Sequence, residues 1–246
     1  MTHVRSRPSK AERAYEAIRA LILAGAAPPG EPLAVKTLVQ TLALGHIPAR
    51  EALARLLGEG YVARRRSGGY VVPPVVREEM GDLLHALCAG LARTLQAPTA
   101  DGPPIAARLA GRLEDALQAA AADRDPGRAF VEAHDAAWRD VAADCLGARP
   151  LARLAVDLDL TRPVRVRHAE APERRQEVAA RLAAAGAAAQ RGDPAGADAE
   201  LQALERGLRE TLEQMAPPTA RVEPYGGLRA LLAPKGEGGR SSVPGL

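Results

Sequence analysis

Arginine is the residue this sequence offers most freely for chemistry at anionic groups. Arg162, Arg165, Arg167, Arg174 and Arg175, with His168, crowd one stretch of the second half. A guanidinium presents a planar fork that captures a carboxylate through two hydrogen bonds, so an anionic ligand is what such a cluster would take. The competing fate of arginines in an Ala- and Arg-heavy chain is plain solvation. A second basic run, Arg64-Arg65-Arg66, leads into Ser67-Gly68-Gly69. Charges there suit a phosphate backbone, and they equally keep an edge strand from pairing with another chain. Catalysis finds no footing, because the sequence has no glycine-rich phosphate loop, no nucleophile with a base in reach and no clustered metal ligands. Cys88 and Cys145 lie far apart in apolar periodic segments, which argues against a disulfide framework or a thiolate site, and the scattered pair His134 and His168 fits surface or packing roles better than a substitute metal site. The expectation is a protein that is not an enzyme, with no cofactor and no metal, working in reducing cytoplasm.

Charge placement narrows the partner. Residues 1–76 hold 11 Lys or Arg against 5 Asp or Glu, and the remainder holds 22 against 25, so the two parts carry +6 and −3. A small basic part joined to a larger, mildly acidic one is the arrangement expected when only the first meets a polyanion. Aromatic content is 2%, which leaves Leu, Ala and Val to build the core and favours packed helices over sheets. No apolar run approaches the roughly 18 residues of a membrane span, so no membrane is expected as partner.

Elements must position these groups. Ala14, Ile18, Leu21 and Ile22 recur at helical spacing until Gly25 and the Pro28-Pro29-Gly30 breaker. A second amphipathic segment covers residues 35–42, residues 44–48 read as a tight connection, and residues 49–57 read as a third helix with Pro48 in its first turn. Two strand-like runs, residues 61–64 and 70–72, flank the basic, glycine-rich tip as a hairpin. Helix, helix, turn, helix, hairpin is the order of a winged helix-turn-helix, whose third helix enters the major groove of DNA. From residue 76 to 214 the pattern is helical, broken near 98–104, 125–127, 147–150, 171–172 and 192–194, which predicts six antiparallel helices. The organisation expected is a disordered basic arm (1–10), a winged helix-turn-helix (11–73), an all-helical effector-binding or dimerisation domain (76–214) and a disordered tail rich in Pro, Gly and Ser (217–246). The fold class is mainly α with one small β-hairpin.

The register Tyr15, Ile18, Leu21, Ile22, Gly25, Pro29-Gly30, Leu33, Leu38, Leu42, Pro48, Arg50-Glu51-Ala52-Leu53, Leu56, Glu59-Gly60, Val62, Gly69 and Val71 resembles the GntR family of bacterial regulators, in its FadR-type branch with a helical FCD effector domain. The likeness covers residues 13 to about 210. It implies DNA contacts from a basic residue early in the second helix, from the recognition helix and from the wing tip: Lys36, His46, Arg50 and Ser67-Gly68-Gly69, with Arg65 and Arg66 beside them on the wing. Arg50 can offer its fork to a guanine edge or a phosphate, and Lys36 a point charge to the backbone. Where the family usually shows serine-arginine-threonine, this chain has Gly45-His46-Ile47.

In the second domain the resemblance implies a metal held by an aspartate, a histidine four residues later and two further histidines. Asp135 occupies the first position, but Arg139 stands at the second and no histidine falls near Leu182 or Leu204, so the metal site is expected to be lost. Asp135 and Arg139 then become the expected effector-binding pair, with Arg139 as the i, i+4 partner of Asp135. The function implied is a homodimeric transcription regulator on double-stranded DNA, responsive to an organic acid. The alternative is a degenerate relative that binds DNA constitutively or serves as an interaction dimer.

Overall fold

The computed structural model describes residues 8–27, 30–65, 68–73, 77–97 and 104–215. These fall into two compact units, one holding the described residues up to 73 and the other residues 77–215.

The first unit is built on three helices, α1 (Lys10–Leu23), α2 (Val35–Thr41) and α3 (His46–Gly58), and three short strands, β1 (Pro32–Leu33), β2 (Ala63–Arg64) and β3 (Tyr70–Val71). Ser9 caps α1, its Oγ accepting from the Glu12 N–H at 3.0 Å, so the structure begins inside the arm expected to be disordered; residues 1–7 lie outside the described residues. The apolar face of α1 (Ala14, Tyr15, Ile18, Leu21) packs on that of α3 (Ala49, Ala52, Leu53, Leu56), with Leu38 of α2 closing the core. The third helix starts three residues earlier than its periodicity predicts. His46-Ile47-Pro48 form its first turn rather than a connection, because Gly45 is already extended as its N-cap and Pro48 needs no N–H there.

The sheet has the order β1-β3-β2, antiparallel throughout, pairing Leu33 and Arg64 on either side of Tyr70. The strand β1 was not expected. Two residues carry no alternation to detect, and its Pro32 is tolerated because the strand is at the edge. Between β2 and β3 the chain turns through Gly68 and Gly69, whose φ angles of 86° and 82° lie in the left-handed region that glycine enters without strain.

The second unit holds seven helices: α4 (Arg77–Leu95), α5 (Ile105–Ala122), α6 (Pro126–Cys145), α7 (Ala148–Leu160), α8 (Arg162–His168), α9 (Pro172–Gln190) and α10 (Pro194–Gln214). One break more than expected falls at Thr161. Pro163 lacks the N–H that would reach the Asp159 carbonyl and continue α7, and Thr161 Oγ1 adds a bond to the Asp157 carbonyl at 2.6 Å beside that of its own N–H. Trp138, fully buried on α6, sits in a core of Leu84, Leu91, Leu109, Leu158 and Leu182. Helices α5 and α9 approach so closely that a Cβ at Gly186 would lie 3.0 Å from Ala106 Cβ and 3.2 Å from its Cα. The tail expected at 217–246 lies outside the described residues.

Candidate nucleic-acid interface and the buried charge network

Helix α3 sorts its arginines by face. Ala49, Ala52, Leu53 and Leu56 face the core, leaving Ile47, Arg50, Glu51 and Ala54 together on the exposed side at i, i+3, i+4 and i+7. Arg50 there makes no hydrogen bond or ion pair among the described residues, and neither do the side chains of His46, in the same first turn, or Lys36, exposed in the first turn of α2. Arg55 is turned the other way. Its guanidinium lies 3.7 Å from the Tyr15 ring centroid and bonds Glu59 at 2.9 Å and Glu12 at 3.1 Å, tying α3 to α1. Tyr15 donates its O–H to the same Glu59 at 2.6 Å; burial and that carboxylate push its phenol well above the ordinary range.

On the wing, Arg65, Gly68 and Gly69 are exposed, and the tip is closed by Gly68 N–H donating to the Arg65 carbonyl at 3.0 Å and Arg65 N–H to that of Gly69 at 3.2 Å. Arg66 and Ser67 lie outside the described residues. Arg64 rests its guanidinium 5.6 Å from the Tyr70 ring centroid, across the strand pair. The winged unit therefore brings Lys36, His46, Arg50 and Arg65 to its surface as cationic or hydrogen-bonding side chains without internal partners, the condition for meeting phosphates and base edges. Sequence reasoning noted Ile47 only as a lost hydroxyl; at 73% exposure it is the exposed large hydrophobic among the described residues.

The second unit treats its charges differently. Asp135, fully buried on α6, does not pair with Arg139. It accepts from Arg165 Nη1 at 2.5 Å and Nη2 at 3.1 Å, and from Arg162 Nη2 at 3.2 Å. The break at Thr161 is the reason, since it lays α8 and its arginines over α6. Arg139 reaches Asp159 instead, at 2.7 Å. Burial opposes ionisation of Asp135, but Arg165 and the hydrogen bonds outweigh it and hold the carboxyl far below the usual range. Arg165 is itself complete: its Nε donates to Thr161 Oγ1 at 3.1 Å and its Nη2 to the Leu158 carbonyl.

His134 shares this interior. Trp138 Nε1–H donates to His134 Nε2 at 3.1 Å, which leaves Nδ1 to carry the proton toward Asp135 at 3.3 Å. Protonating Nε2 would break the Trp138 bond, and burial lowers the pKa further despite Asp135. With its oxygens so engaged, Asp135 does not fit a metal-ligand role, and no group of three or more metal-capable side chains forms among the described residues.

The other members of the expected anion cluster disperse. Arg167 pairs with Glu170, Arg174 with Glu177 at 3.0 Å, Arg175 with the Ala169 carbonyl at 2.6 Å, and His168 Nδ1 meets Thr211 Oγ1 at 2.7 Å. A feature that sequence reasoning missed is an open groove of about 620 Å³ lined from α4 and α10, with His85, Cys88, Ala92, Arg93, Leu201 and Glu205 on its walls. Nothing in a linear pattern marks two helix faces that meet across more than a hundred residues. Burial pushes the Cys88 thiol up to about 12, so it offers no thiolate there.

Residues 10–72 match the family model of bacterial regulatory proteins, gntR family. Solved structures share the fold across most of the chain. A transcriptional regulator described as GntR from Rhodococcus sp. RHA1 is 18% identical with a TM-score of 0.63, covering 85% of this chain and 100% of its own. McbR/YncC from E. coli is 19% identical with a TM-score of 0.58, covering 85% and 99%. Lar, described as controlling expression of the Listeria monocytogenes agr system, is 14% identical with a TM-score of 0.54, covering 86% and 100%. No curated protein matches the chain.

Proposed function

We propose that this chain, with its gntR-type DNA-binding domain at residues 10–72, is a cytoplasmic transcription regulator of the FadR-type branch that binds a specific double-stranded site as a homodimer. The observation that carries the reading is the exposed face of α3, where Arg50 projects without an internal partner while Arg55 on the same helix is locked to α1. Arg50 reads a base edge, Lys36 and Arg65 anchor on phosphates, and His46 and the tip from Arg66 to Gly69 complete the contact. Dimerisation by the helical unit supplies the second half-site, since one helix and one wing bury too little surface for tight specific binding.

Selection of bound sequences from a random duplex pool tests this. A short palindrome should be enriched by the native chain and lost with Arg50→Ala, a change worth about 1–3 kcal/mol at the contacted pair. Sequence-indifferent retention by both proteins would reject the specific-reader assignment.

A second reading concerns the helical unit. An organic-acid effector held by Asp135 and Arg139 would have to displace Arg165 and Arg162 from the first and Asp159 from the second. That internal pairing favours a constitutive dimerisation body with no small-molecule trigger. A thermal-shift screen of organic acids decides: stabilisation that vanishes in Arg139→Ala restores the effector site, and a flat screen keeps the constitutive reading.

A further inference from the structure

We propose that Ile47 is a base-reading residue that recognises thymine by packing on its 5-methyl group in the major groove. The inference rests on the DNA-reader assignment above and deepens it, naming which base the first turn of α3 selects.

A single exposed aliphatic side chain is ordinary on a protein surface. The placement of this one is not. Ile47 is 73% exposed, whereas Ile18, Leu21, Leu33, Leu38, Leu53 and Leu56 of the same unit are all buried. It sits in the first turn of α3, the part of a recognition helix that meets base edges. It shares one helix face with Arg50, one turn further on. Gly45, the N-cap two positions before it, carries no side chain that could fold over it, and His46 between them is itself exposed. The fold therefore leaves a β-branched apolar group exposed on a face it shares with Arg50, an unpaired cation, and with Glu51 and Ala54.

The chemistry of the major groove offers such a group one apolar target. Guanine, cytosine and adenine present donors and acceptors there, and thymine alone adds a methyl group. Isoleucine suits the task because branching at Cβ leaves few χ1 rotamers, so little side-chain freedom is lost on docking. With Arg50 directed at a guanine edge, the helix reads one methyl and one acceptor edge about one turn apart. The hydroxyl and charge missing from Gly45-His46-Ile47 are then replaced by a hydrophobic contact rather than simply lost.

The test uses the full chain and the duplex enriched from the random pool. Each thymine in that duplex is replaced singly by uracil, which removes the methyl and nothing else, and the dissociation constant is measured for the native chain, Ile47→Val and Ile47→Ser. At one thymine per half-site the native chain and Ile47→Val should bind the uracil duplex about fourfold more weakly, the effect of one buried methyl. Ile47→Ser should bind both duplexes alike, so the two changes are non-additive. Circular-dichroism melts should coincide for all three proteins, because the side chain contacts no core.

Uracil that is neutral at every position, or an Ile47→Ser variant that keeps the thymine preference, overturns the inference while the enriched palindrome leaves the regulator assignment standing. Loss of self-association in Ile47→Ser with the thymine preference intact also overturns it, making the residue a protein contact. Absence of any enriched sequence removes both this inference and the reading beneath it.

Discussion

On the winged unit Lys36, Arg50 and Arg65 stand exposed and unpaired, while in the helical unit Arg165, Arg162 and Arg139 end on the buried carboxylates of Asp135 and Asp159. An arginine without an internal partner remains available to an outside anion. One fixed to a buried carboxylate fastens helices, its charge already countered inside the fold. Counting basic residues hides this distinction, since the sequence after residue 76 has 22 of them against 11 before it. Of the richer cluster, Arg165 and Arg162 are internal structure, whereas Lys36, Arg50 and Arg65 stand at the surface of the winged unit without a partner.

The contrast is most strongly tested at Asp135. Asp135→Asn leaves Arg165 buried without its counter-charge, and removing one partner of a buried pair costs about 3–5 kcal/mol. Trp138, the single tryptophan of the chain, lies in the same core, so its fluorescence in urea follows this unit. A loss under about 1 kcal/mol would mean that the network is not holding the helices, and the contrast would fail.

A smaller pair of effects compares two arginines of one helix. Arg55→Ala removes the contacts to Tyr15, Glu12 and Glu59; at half exposure these are worth about 0.5–1 kcal/mol, read as a lower melting temperature of the winged unit with duplex affinity retained. Arg50→Ala should do the reverse, leaving stability within about 0.5 kcal/mol and weakening the specific duplex. Variants that move the same quantity would erase the division of labour on α3.

The smallest effect is that of pH. His134 and His168 are both held neutral, chiefly by burial, with folded pKa values below the ordinary one. The unfolded chain therefore binds more protons once pH falls below about 6.5, and the stability these two groups contribute is present above that value and lost beneath it. The depressed carboxyl of Asp135 acts with the same sign, but only below about pH 3.9. The urea midpoint followed at Trp138 should be lower at pH 5.5 than at pH 7.5. A midpoint that rises on acidification would contradict the neutral imidazoles.

Much of the fold was legible because helix α1 and the buried face of α3 follow one period, and because prolines and glycines mark five of the breaks in the second unit. What escaped were features without a periodic signature. Strand β1 is two residues long, and the first turn of α3 hid behind Gly45 and Pro48. The α7–α8 break depends on Pro163 together with a threonine that bonds its own backbone. That one missed break explains the misassigned partner of Asp135, since a continuous helix would have carried Arg165 elsewhere. At the candidate interface, the positions of Lys36, His46 and Arg50 could be named from the sequence, whereas the outward exposure of Ile47 and the inward turn of Arg55 required the packing of α3 on α1.

The seam between α5 and α9 constrains how this chain can vary. Gly186 faces Ala106 so closely that an added Cβ would press on its Cβ and Cα, and Ala106 would have to give by a few tenths of an ångström. Enlargement at 186 therefore presses on 106, where only glycine is smaller than what stands there. The two positions, 80 residues apart, are thus sterically coupled, so changes at both should not add as the sum of the single changes. A small residue facing a small residue is what lets these two helix backbones lie so near each other.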